Sequence, residues 1–115
     1  MTRTTLAGST TRPPALRVSL APEGMATVVV LQGEADVASL PALSEALDRI
    51  IARHKGPVII DLADTAFIDS ATVRALSRAA ATLDKAGRSL SIRAPSRTAA
   101  VLLELVGISQ TAVVD

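Results

Sequence analysis

Residues 58–73 read Val-Ile-Ile-Asp-Leu-Ala-Asp-Thr-Ala-Phe-Ile-Asp-Ser-Ala-Thr-Val, and the spacing of the apolar positions changes within that stretch. Val58-Ile59-Ile60-Asp61-Leu62 is a short β-branched run, the pattern of a strand buried in a parallel sheet. Ala63 to Ile68 reads as a loop. From Asp69 or Ser70 onward Val73, Leu76, Ala80 and Leu83 recur at the three- and four-residue spacing of one helical face. Lys85 in the last turn and Gly87 just beyond it are helix stop signals. Strand, loop and helix in this order form a unit of an α/β sheet, which presents functional groups where the chain leaves the carboxyl ends of its strands.

Working outward, Leu16, Val18 and Leu20 alternate with Arg17 and Ser19, the two-residue period of a half-buried strand. Pro22-Glu23-Gly24 reads as a turn, and Ala26 to Leu31 as a second strand, β-branched enough to be covered on both faces. The two are expected to form a hairpin. Leu40, Leu43, Leu47, Ile50 and Ile51 mark a helix with Ser39 as its expected N-cap and Pro41 in its first turn, stopped by Gly56-Pro57. Toward the C-terminus, Leu90 to Arg93 reads as a strand. Pro95-Ser96 caps a third helix running to about Val106, Gly107 ends it, and Ala112-Val113-Val114 adds a short extended segment. The expected fold is α/β: a mixed, mostly parallel sheet of four to five strands with helices packed against it. Residues 1–14, rich in Thr and Arg and without an apolar period, read as a flexible tail, and 15–115 as one domain.

Composition removes whole classes of function. The chain has 115 residues, enough for one core, with 12 Lys and Arg against 11 Asp and Glu, one His, no Cys and one aromatic, Phe67. A net charge of +1 and a single ring offer neither the basic face nor the stacking platform of a nucleic-acid module. Without Cys, and with only His54, there is no thiolate site and no His pair for a metal, and no cofactor is expected. No apolar run reaches the roughly 18 residues of a membrane span, and nothing near the start resembles a secretory leader, so a cytoplasmic protein is expected.

Two acidic clusters fall at strand exits: Glu34 and Asp36, then Asp61, Asp64 and Asp69. Ser70 beside Asp69 invites two readings, since Asp and Ser are both common ways of satisfying the free N–H groups of a first helical turn. The residues leave capping and function side by side. No base is placed to activate Ser70 as a nucleophile, because His54 falls at the far end of the first helix. Asp36 with Asp69 could form a carboxylate pair, although a glycosidase reading lacks sugar-binding aromatics. Arg74 and Arg78, one turn apart and off the apolar stripe, read as a solvated ridge.

Three stretches resemble a known family. Leu31-Gln32-Gly33-Glu34-Ala35-Asp36-Val37-Ala38, Val58 to Ser70, and Leu103-Glu104-Leu105-Val106-Gly107-Ile108 stand in the order and at the separations of the STAS domain, named for sulphate transporters and anti-sigma factor antagonists. The resemblance runs from about Leu16 to Val114. It implies a protein-binding switch and not an enzyme: an anti-sigma factor antagonist that binds an anti-sigma factor/serine kinase, is released by phosphorylation, and is restored by a serine phosphatase. By position it makes Ser70 the phosphorylation acceptor. Asp36, Asp69, Ser70, Ala71, Thr72 and Arg74 are then the expected partner-binding residues. Family members commonly have Gly two places after the acceptor, where this chain has Thr72, itself a second candidate acceptor. The alternative within the same resemblance is a constitutive binding subunit of another assembly, a signalling or lipid-transport complex, in which Ser70 only caps its helix. A monomer or weak dimer is expected, with Val101 and Leu105 read either as an apolar patch for association or as core.

Overall fold

The computed structural model describes residues 16–112. The elements are β1 (Leu16–Glu23), β2 (Ala26–Ala35), a single 3₁₀ turn (Val37–Ser39), α1 (Leu40–Arg53), β3 (Val58–Asp61), β4 (Thr65–Ile68), α2 (Ser70–Lys85), β5 (Leu90–Arg93), α3 (Arg97–Leu105) and β6 (Ser109–Ala112). The tail expected over residues 1–14 lies outside the described residues, as do Val113 and Val114. β1 and β2 form the expected antiparallel hairpin, and the other pairings are parallel. The mixed, mostly parallel α/β sheet is therefore observed, in the order β1-β2-β3-β5-β6, with β4 added beside β2.

The β4 strand corrects the reading of Ala63 to Ile68 as a loop. Four residues with one aromatic are too few to carry a strand period, and their partner is the far half of β2, more than thirty residues away in sequence.

One parity of the sheet carries the core. Val29, Leu31, Val58, Ile60, Leu62, Leu90 and Ile92 share a cluster with Leu43, Leu47 and Ile50 of α1, Leu76 and Leu83 of α2, and Ala99 and Leu103 of α3. Each such aliphatic side chain taken out of water contributes about 1.5–3 kcal/mol. β2 is expected to be covered on both faces, and all three helices pack on one. The parallel strands β2, β3, β5 and β6 step across the sheet in a single direction, and crossovers of one hand then place every helix on the same side. Val28, of the other parity, is buried between its register neighbours Ala21 and Ile59.

The helix stripes also need small adjustments. In α2 Ala79 is buried, and Ala80 is half-buried against the core. Val106, about where α3 is expected to end, is its exposed C-cap, next to Val101 and Leu105, which are also exposed. Ser39 does not cap α1 with its side chain; that hydroxyl is engaged elsewhere.

Candidate functional site

β2 is long enough to serve two partners in succession. Thr27 to Val30 pair with β3, and Gly33 to Ala35 pair with β4. Between β3 and β4 the chain makes a tight offset. The Asp61 carboxylate accepts the Ala63 N–H at 2.9 Å, Thr65 N–H donates to the Leu62 carbonyl at 3.1 Å, and the Thr65 hydroxyl donates to the Leu31 carbonyl at 2.7 Å. Opposite, Gly33 N–H donates to the Asp64 carbonyl at 3.1 Å, at a register shift where Gly33 has φ +110°, a conformation suited to glycine. The offset carries β4, and the helix after it, past the end of β3.

The carboxyl ends of β2 and β4 lie side by side, since Ala35 pairs with Ile68. The Ala35 carbonyl joins them to α2 by accepting both the Asp69 N–H and the Thr72 hydroxyl, each at 3.1 Å. Asp69 is the N-cap of α2, its carboxylate accepting the Thr72 N–H at 2.8 Å. Partial burial pushes the Asp69 carboxyl up. Donors at Thr72, Val37 and its own N–H outweigh that, and it sits below the usual carboxylate range. Asp36 closes the 3₁₀ turn reciprocally with Ser39: its carboxylate accepts the Ser39 N–H at 3.2 Å, and Ser39 Oγ accepts the Asp36 N–H at 3.0 Å. That pairing is why Ser39 is not spent on α1.

With capping done by Asp69, Ser70 becomes the first residue of α2, exposed, and its hydroxyl makes no hydrogen bond to the described residues. The reading in which Ser70 only caps its helix is corrected accordingly. Thr72 is corrected too. It is 0% exposed and its hydroxyl is bound to Ala35, so it neither touches a partner nor offers a second acceptor. Two residues along a helix turn the side chain by about 200°, and Thr72 therefore points into the core while Ser70 points out. Its methyl and hydroxyl fill interior space and leave the surface above Ser70 open. Asp36, Asp69, Ser70, Ala71 and Arg74 are brought together at this end of the sheet, with exposed Arg74 one turn along α2 from Ser70.

Two residues of this surface were not singled out from the sequence. Val37, in the 3₁₀ turn, is 66% exposed, and Phe67, near the end of β4, is 53% exposed. They flank the acidic pair with apolar area. The available signal was that the chain's single aromatic stands two residues before Asp69. Among the described residues no group of His, Cys, Asp or Glu could hold a metal, and no helix is long and apolar enough to cross a membrane.

A family model described as "Mlab, STAS domain" matches residues 18–115. No curated protein matches the chain. Among solved structures, an anti-sigma factor antagonist from Mycobacterium paratuberculosis is 22% identical with a TM-score of 0.73, over 85% of this chain and 83% of that one. The anti-sigma factor antagonist SpoIIAA in its unphosphorylated form is 17% identical with a TM-score of 0.70, over 84% and 87%. The Bacillus cell fate determinant SpoIIAA in the phosphorylated form is 16% identical with a TM-score of 0.71, over 88% and 93%. At these identities the likeness establishes a shared fold.

Proposed function

Because the chain belongs to the STAS domain family, we propose that it is an anti-sigma factor antagonist, a non-catalytic switch that docks an anti-sigma factor/serine kinase on the surface around Ser70. Phosphorylation of Ser70 ends the binding and a serine phosphatase restores it. The observation that carries this reading is the division of labour at the start of α2: Asp69 caps the helix, and the Ser70 hydroxyl is left exposed. Support also comes from two similar proteins named as anti-sigma factor antagonists, one of which, SpoIIAA, is also described in a phosphorylated form.

The electrostatics suit a switch. A phosphate on Ser70 stands at a helix N-terminus, where the dipole favours it by about 0.3–1 kcal/mol. Arg74, one turn further along, is within reach of an ion pair with it. The free protein therefore tolerates the modification. Covering the same dianion with a partner, beside Asp69 and Asp36, strips its water and costs several kcal/mol. A loss of about 4 kcal/mol is about a thousandfold in affinity.

The test is incubation with the cognate kinase and ATP, with phosphate located by mass spectrometry, followed by partner binding. Phosphate on Ser70, none on Ser70→Ala, and lost binding by Ser70→Asp are expected. Phosphate elsewhere, or undiminished binding by Ser70→Asp, overturns the reading. A second reading within the same family is a constitutive binding subunit of another assembly. It requires partner binding that is indifferent to ATP and kinase.

A further inference from the structure

We propose that the groove between β1 and α1 is a second docking surface, taking an extended, acidic segment of a partner protein as an added strand on the outer edge of β1. Three observations converge. Among the described residues β1 pairs only with β2, which leaves its other edge open along a strand of eight residues. An open edge offers a ladder of unpaired N–H and C=O groups to an incoming strand. Arg17 and Pro22 guard its two ends, and Val18 to Ala21 lie between them.

Directly inward of that edge is an apolar groove of about 290 Å³, lined by Val18, Leu20, Ala46 and Ile50 and rimmed by Arg49, Arg53 and His54. Leu20 is 49% exposed there. A strand added to β1 would continue its alternation, presenting every second side chain to this groove. The apolar floor suits aliphatic side chains at those positions.

The rim decides the sign of the partner. Arg53 and His54 are exposed, with exposed Lys55 beside them. Arg49 has a single ion pair, with Glu45 at 3.8 Å, and both side chains are more than half exposed. Asp48, the other acid on this part of α1, lines a separate groove against α2. The surface is thus net basic and complements carboxylates. A second copy pairing edge to edge would bring Arg49, Arg53 and His54 toward their own counterparts. The chain's own residues 1–15 contain Arg3 and Arg12 and no carboxylate. Like charge disfavours both of these occupants.

This surface is remote from Ser70. α1 starts beside the 3₁₀ turn at the carboxyl end of β2 and runs 14 residues, about 21 Å at 1.5 Å per residue, and the basic rim is at its far end. The chain can hold one partner at each end.

The probe is a fluorescein-labelled eight-residue peptide of alternating valine and glutamate, with a valine–lysine peptide as control, titrated into the full chain and followed by anisotropy and amide chemical shifts. Saturable binding of the glutamate peptide, weakened by salt and shifting the amides of Leu16 to Ala21, is expected. Arg49→Glu with Arg53→Glu, both exposed, weakens it about tenfold and transfers preference to the lysine peptide. Ser70→Asp binds the glutamate peptide like the wild type, which keeps this outcome independent of the switch. Equal binding of both peptides, indifference to the double reversal, or shifts confined to the Ser70 end overturns the proposal. So does a dimer that Leu20→Asp dissociates, which would make a second copy the occupant.

Discussion

A carboxylate placed at position 70 and one placed at position 72 of α2 should have opposite consequences for folding, although the two positions are one residue apart from being neighbours. At Ser70 the new charge is exposed at the helix N-terminus. The dipole contributes about 0.3–1 kcal/mol in its favour. Repulsion from Asp69, at roughly 6 Å in a water-like dielectric, costs about 0.7 kcal/mol. Ser70→Asp is therefore expected within about 1 kcal/mol of the wild type, less than about 1 M in urea midpoint. At Thr72, which is 0% exposed, Thr72→Glu loses the hydroxyl bond to Ala35, about 1 kcal/mol. It also buries an unpaired carboxylate at several kcal/mol more. The sum rivals the 5–15 kcal/mol that holds a typical domain together. Thr72→Val supplies the scale between them. The Ala35 carbonyl keeps its bond from the Asp69 N–H, so no buried acceptor is orphaned, and a loss of about 1 kcal/mol is expected. Urea melts by far-UV circular dichroism read all three. A Thr72→Glu protein that melts with the wild type, or a Ser70→Asp protein that does not fold, refutes the assignment of one hydroxyl to solvent and the other to the core.

Asp69 tests the cap and its pH dependence together: Asp69→Ala should cost about 0.5–2 kcal/mol, and Asp69→Asn, itself a good N-cap, much less. The Asp69 carboxyl is held below its ordinary value in the folded state. Its stabilisation is therefore complete above about pH 4, the usual carboxylate value, and is lost as pH falls through the lowered folded value. Asp69→Asn removes that component from acid melts, and an unchanged acid limb would count against the bonding described. Two glycines separate strain from collision: Gly87→Ala at φ +72° meets open space and should cost about 1 kcal/mol, whereas Gly56→Ala at φ +100° would put its Cβ 2.4 Å from the Met25 carbonyl oxygen and should cost clearly more. Equal thermal midpoints for the two would refute the close approach of Gly56 to the β1–β2 turn.

The residues of the candidate site differ in how openly the sequence displays them. Asp69 and Ser70 stand at a strand-to-helix junction that the apolar period marks on its own, so their place at the start of α2 was readable. The fate of Thr72 was readable in principle, since 72, 76, 79 and 83 follow the inward helical stripe. Two hydroxyls read as a pair concealed it. β4 left no such trace, because its strand state depends on Gly33 to Ala35 being available beside it. With β4 unseen, Phe67 appeared as a loop residue, and the apolar flank of the site went unnoticed.

Chain-local physics was enough for the alternation of β1, the stripes of α1 and α2 and the turns at glycine, because each depends on residues a few positions apart. Long-range contact was needed to choose which of Asp69 and Ser70 caps α2, to turn Thr72 inward onto Ala35, and to bring all three helices to one face. Those outcomes depend on where β2 lies relative to β4 and on the direction in which the strands cross the sheet, and a carbonyl more than thirty residues away selects its donors only once the chain has folded around it.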